Sequence, residues 1–126
     1  MAKYTEVSPT LIEGYRQYCN LLIVTATPVE KEVLHENLTP IDGQDAILKI
    51  SKGQYTYYLG KFGNYNTVHV ATANMGPSNR GSSIPTTMKA IENWKPKAVL
   101  MVGIAFGGDP KKIKIGDVLV SERVVN

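Results

Sequence analysis

The run Leu21-Leu22-Ile23-Val24 stops at Thr27-Pro28 and passes directly into a helical pattern, and this junction restricts the fold more than any other feature. Four contiguous aliphatic residues suit a strand covered on both faces, as in a parallel sheet. Thr27 can cap the helix that follows, and Pro28 brings a helical φ to its first position. Val29, Val33, Leu34 and Leu38 then form one apolar face before Pro40 ends the helix. A second apolar run, Ala98-Val99-Leu100-Met101-Val102, follows a helix expected from about Arg80 to Trp94, with Pro85 in or just before its first turn. Three extended segments lie between. Ala46–Ser51 and Tyr55–Phe62 flank the Lys52-Gly53-Gln54 turn as a hairpin, and Thr67–Ala73 sets Val68 and Val70 on one face. Val118–Val120 begins another strand. The expected class is α/β, a mixed sheet with two buried strands each joined to a helix. Such sheets bind ligands at the carboxyl ends of their strands.

The 126 residues fit one domain, and 43% apolar with 20% charged is ordinary for a soluble protein. Residues 1–19 read as an arm or linker, with a short helix from Ser8-Pro9 or Thr10 that carries Leu11, Ile12, Tyr15 and Tyr18. Residues 20–126 read as the domain. The charge of +3 is mildly basic, and the only dense basic run is Lys111, Lys112 and Lys114. Nucleic-acid binding normally clusters such residues on one face, so no nucleic-acid partner is expected. One cysteine, Cys19, excludes an internal disulfide and any cysteine-based metal cluster; no metal or cofactor is expected. Without a signal-like apolar segment or a membrane-length run, the expectation is a cytoplasmic protein with no membrane partner.

Three loops fall where the sheet would build a site: Thr25-Ala26-Thr27-Pro28-Val29-Glu30, Asn74-Met75-Gly76-Pro77-Ser78 and Gly103-Ile104-Ala105-Phe106-Gly107-Gly108. Glycine at a strand end allows close backbone approach to a ligand. The spacing fits neither the dinucleotide nor the P-loop fingerprint. Taken together, these segments resemble the nucleoside phosphorylase superfamily, and within it the methylthioadenosine/S-adenosylhomocysteine nucleosidases. The resemblance runs from Leu22 to Glu122. It rests on Ala26-Thr27-Pro28-Val29-Glu30, on Lys95-Pro96 followed by Gly103 to Gly107, and on Ile115-Gly116-Asp117-Val118-Leu119-Val120-Ser121, with Gly60 to Gly63 and Met75-Gly76 in order between them. It implies a three-layer αβα phosphorylase/hydrolase-like domain of which this chain holds the N-terminal half.

The resemblance implies N-glycosidic cleavage of a purine nucleoside or nucleotide. Glu30 would position and activate the attacking water, and a general acid from the second half of the domain would protonate the purine. This chain alone is therefore expected to be inactive, completed by that missing half or by assembly into a homo-oligomer. Ala26, Met75, Gly76, Gly103, Ile104, Ala105, Phe106 and Gly107 match substrate-lining positions. Read without the family, Glu30 is a first-turn glutamate complementing the helix dipole or a partner of Lys31 or His35. Met75 is either a ribose contact or core, and Phe106 either a stacking wall or a plug. His35 and His69, mid-helix and mid-strand, read as structural, and Trp94 as core or an interface anchor.

Phosphorylases of this superfamily carry an arginine two residues before the strand-end glycine and a hydroxyl residue after it; Met101 and Ile104 stand there instead. Neither serves an oxyanion, so water is the favoured nucleophile, with phosphorolysis the alternative should Ser78 and Arg80 contact phosphate from the neighbouring loop. Ile104 and Phe106 also depart from the nucleosidase pattern. That leaves open a nucleotide substrate such as ATP, AMP or NAD in an effector domain, with Lys111, Lys112, Lys114 and Arg80 meeting phosphates. A non-catalytic nucleoside-binding or assembly module is the remaining class.

Overall fold

The computed structural model describes residues 3–16, 19–72 and 83–102. Among these residues the strands are β1 (Tyr4–Val7), β2 (Leu21–Thr25), β3 (Ile47–Lys52), β4 (Tyr55–Phe62), β5 (Tyr65–Ala71) and β6 (Ala98–Met101). They form one six-stranded mixed sheet in the order β1-β3-β4-β5-β2-β6. The helices are α1 (Ile12–Arg16), α2 (Pro28–Glu36) and α3 (Ser83–Trp94), with a short 3-10 turn at Pro9–Leu11 before α1. The expected α/β class and the expected hairpin are both present. Pro85 falls in the first turn of α3, where its missing N–H has no helical partner to lose.

Side-chain alternation splits the core in two. Leu22, Val24, Leu48, Ile50, Tyr57, Leu59, Val68 and Val70 meet Ile12, Ala90 and Trp94 from α1 and α3 on one face. Ile23, Ile47 and Tyr58 meet Leu34 and Leu38 around α2 on the other. Helices on both faces explain the uninterrupted apolar run in β2. Trp94 is fully buried, the core role of the two the sequence left open.

Three expectations change. Residues 4–7, inside the stretch read as an arm, form an edge strand parallel to β3, with Tyr4 opposite Ile47 and Val7 opposite Ile50. Tyr4, Thr5 and Glu6 are exposed and only Val7 packs toward the core, so the segment lacks apolar alternation and its pairing comes from the open edge of β3. Val29 and Val33 do not face the sheet but are 59% and 53% exposed. The surface beneath α2 combines Ile23 and Ile47 with the rings of Tyr58 and His69, and Leu34, Leu38 and His35 are the residues buried against it. β6 is not covered on both faces: among the described residues it borders only β2, and Val99 to Met101 are exposed.

Two-residue turns close both hairpins, with Gly53 and Gly63 at positive φ, the conformation that side-chain-free residues adopt cheaply. Gly60 is constrained differently. Thr39 bridges to Lys61 beside it, and a Cβ on Gly60 would lie 2.9 Å from the Thr39 carbonyl oxygen. Gly60→Ala is expected to destabilise the fold by about 1–3 kcal/mol, the usual cost of overpacking against backbone. Gly14→Ala, with open space around it, is expected to be neutral or mildly stabilising. Urea-unfolding midpoints of the two variants test the pair.

Candidate functional site

β2 is parallel to both of its neighbours, β5 and β6, so the three strands end on the same edge of the sheet. Thr25 lies opposite Ala71, and Val24 lies opposite Met101. The amide of Thr72 donates to the Thr25 carbonyl at 2.8 Å, and that of Val102 to the Val24 carbonyl at 2.9 Å. The chain therefore leaves all three strands side by side. Ala26 is one exit, Thr72 and Val102 the others. Met75, Gly76, Ser78 and Arg80 follow the second exit in sequence, and Gly103, Ile104, Ala105, Phe106 and Gly107 follow the third; these residues lie outside those described.

Glu30 projects back over this edge. Its Oε1 accepts from the amides of Ala26 at 2.9 Å and Thr27 at 3.0 Å, while its own amide donates to Thr27 Oγ1 at 3.3 Å. This reciprocal arrangement is a capping box, with Pro28 at the first helical position. The cap does two things. It satisfies amides that the helix start would leave unpaired, and it places a carboxylate beside the exit of β2 at the positive end of the helix dipole. The pairing of Glu30 with Lys31 or His35, weighed from the sequence, is not what the cap shows.

A buried polar layer lies under α2. Tyr4 Oη is 2.6 Å from His35 Nδ1, His35 Nε2 is 2.8 Å from His69 Nδ1, and His69 Nε2 is 2.8 Å from Thr25 Oγ1. Tyr58 stacks on His69 at 5.8 Å and meets the edge of His35 at 4.5 Å, with Lys31 Nζ 4.8 Å above its ring. Burial lowers His69 to about 3, with help from His35 and Lys31. His35 falls to about 4, through burial and then the Lys31 charge. Both rings are therefore neutral at pH 7. A neutral imidazole has one donor and one acceptor nitrogen, so the three hydrogen bonds must all run in the same direction. Either Tyr4 donates first and Thr25 accepts last, or the whole series is reversed.

The two histidines, expected to be structural, are joined to each other, to Tyr4 and to Thr25, a series that no motif in the sequence announces. A signal existed in β5, where Thr67 and His69 alternate with Val68 and Val70. That alternation puts polar groups on a face that α2 was expected to cover with aliphatic side chains.

A profile described as the phosphorylase superfamily matches residues 20–126, and the chain belongs to that family. It is also similar to a "Death domain-containing ATP nucleosidase" of Amphimedon queenslandica, with 32% identity over 127 residues. The match takes in 98% of this chain and 23% of that protein, so the chain spans about a quarter of its relative's length. No helix among the described residues is long and apolar enough to cross a membrane.

The two histidines make stability pH-dependent in a defined direction. Their folded pKa values lie below the ordinary 6.5, so the unfolded chain binds more protons between about pH 6.5 and 4. Stability is full above pH 6.5 and falls as the pH drops, by up to about 1.4 kcal/mol per pH unit for each ring. Urea midpoints between pH 7.5 and 4.5 should decline, and His69→Gln should make the decline shallower. A flat profile would contradict burial of neutral rings.

Proposed function

We propose that this chain contributes the nucleophile-positioning half of a purine N-glycosidase site, acting on an adenine nucleoside or nucleotide with water as the nucleophile. The observation that carries the reading is the Glu30 carboxylate, held by the Ala26 and Thr27 amides at the edge where β2, β5 and β6 all end. ATP is the favoured substrate because the Amphimedon queenslandica relative, matched over 98% of this chain, bears the name Death domain-containing ATP nucleosidase. Ile104 and Phe106, which depart from the nucleosidase pattern, agree with a pocket recut for a larger substrate.

In the proposed reaction a water oxygen forms a bond to the ribose anomeric carbon as the bond from that carbon to the purine nitrogen breaks. The bonding pair leaves with the purine, which takes a proton from an acid outside the residues described. The water's proton passes to the Glu30 carboxylate. Charge develops on an oxocarbenium-like ribose, so the gain comes from alignment and from placing a carboxylate close to that charge. Ala26, Met75, Gly76 and Gly103 to Gly107 would line the substrate, and Ser78 and Arg80 would meet phosphate groups. Met101, which offers no charge where phosphorylases carry an arginine, supports water over phosphate as the nucleophile. We further propose that the acid resides in a second half-domain or a neighbouring copy, and that the domain works in the cytoplasm.

The capping box supports a second reading, in which Glu30 is only a helix cap and the domain binds nucleotides without cleaving them. One substitution separates the two. Glutamine completes a capping box as well as glutamate does, but it cannot take a proton from water. In the full-length protein, Glu30→Gln is expected to lower adenine release from ATP by about 100-fold or more while lowering Tm less than Glu30→Ala does. Glu30→Ala should lose the same activity and also about 1 kcal/mol of stability. Full activity in Glu30→Gln would make the residue a cap and nothing more.

A further inference from the structure

The buried chain from Tyr4 through His35 and His69 to Thr25 lies outside the reaction just described, yet it ends at the site. Thr25 is the last residue of β2. Its carbonyl holds the exit of β5 through the Thr72 amide, and the next amide along, that of Ala26, is one of the two that hold Glu30. His35 sits on α2, the helix whose first turn carries Glu30. Helix and strand are therefore joined twice: at the start of α2 by the capping box, and further along by the relay from His35 through His69 to Thr25.

We infer that His69 and His35 are positioning residues, forming a directional hydrogen-bond brace that fixes Thr25 and α2 so that the Glu30 carboxylate stays aimed over the strand ends. The inference rests on the proposed role of Glu30. Its force comes from geometry. All three bonds are short, at 2.6 to 2.8 Å, and each ring is spent on both sides, so neither can rotate without breaking two bonds. An aliphatic pair would fill the same space while leaving the rotation of α2 on the sheet less specified, because apolar contacts have no direction. The brace spans four elements that are distant in sequence: β1, α2, β5 and β2. Its outer end is the half-exposed Tyr4 on an edge strand. The tilted ring contacts among Tyr4, His35 and Tyr58 hold that end in place.

The test is a double-mutant cycle in the full-length protein, reading kcat and KM for adenine release from ATP alongside Tm. His69→Phe keeps a flat ring of similar size and removes both links. Alone it is expected to lower kcat by about 10- to 100-fold with KM within about twofold, the cost of a misaimed group rather than of lost binding. In a Glu30→Gln background it is expected to cause no further loss, since there is no longer a carboxylate to aim. His69→Gln, whose amide nitrogen can still reach Thr25, should recover most of the rate. Thr25→Val, a nearly isosteric change at the other end of the brace, should reproduce the loss, and Thr25→Ser should restore it. Equal losses from His69→Phe in both backgrounds, or unchanged kcat in both His69→Phe and Thr25→Val, would overturn the brace while leaving Glu30 in its role. An unchanged kcat in Glu30→Gln alone would remove the proposed role of Glu30, and the brace with it.

Discussion

The parallel alignment of β2 with β5 on one side and β6 on the other is the constraint from which the rest follows. Parallel neighbours end together, so three chain exits that are far apart in sequence open onto one edge of the sheet. The capping box at Thr27 and Glu30 then converts the first exit into a rigid corner. A helix start would otherwise expose unpaired amides; here two amides are given a carboxylate acceptor, and the carboxylate is fixed in return. Stability and placement are supplied by the same atoms. That is why glutamine is the informative replacement: it keeps the cap and the placement and removes the group that can take a proton.

The two faces of the sheet are built from different materials. The α1/α3 face is aliphatic, with Trp94 and Tyr57 edge to face at 5.7 Å, and closes as an ordinary core. The α2 face sets Tyr4, Tyr58, His35, His69 and Thr25, joined by directed hydrogen bonds and ring contacts, beside the apolar Ile23, Ile47, Leu34 and Leu38. Buried polar groups are costly unless satisfied, and these satisfy one another in series. The helix that carries Glu30 therefore rests on a surface with only one good fit. The exposure of Val29 and Val33 follows from the same choice, because turning α2 to bury the valines would withdraw His35 from His69.

Much of the fold could be read from the chain because local signals agreed with the global structure. The run at 21–24, Thr27-Pro28 and the glycine turns at 53 and 63 each specify one conformation and one neighbour. The strand at Tyr4–Val7 could not be read, since its reason to exist is the open edge of β3 and not any pattern of its own. The orientation of α2 was misread for a related reason. Leu34 and Leu38 are buried as their spacing suggests, but the buried face turns toward His35 and away from Val29 and Val33, because the sheet beneath offers His69 and Tyr58 beside Ile23 and Ile47. The first-turn position of Glu30 was legible from Ala26-Thr27-Pro28-Val29-Glu30, whereas its hydrogen bonds back to the Ala26 and Thr27 amides were not read, although Thr27 three residues earlier has the spacing of a capping box. The histidine relay was not legible, because each member looks unremarkable until the topology brings β1, α2, β5 and β2 together.

The central claim is that ligand chemistry takes place where β2, β5 and β6 end. Amide chemical-shift mapping of the isotopically labelled protein during a titration with ATP reads this directly. The largest shifts are expected on Thr25, Ala26, Thr27, Glu30, Thr72 and Val102, with the opposite strand ends at Asn20, Leu21 and Asn66 undisturbed. Shifts concentrated at Asn20, Leu21 and Asn66, with Thr25 to Glu30 silent, would contradict it.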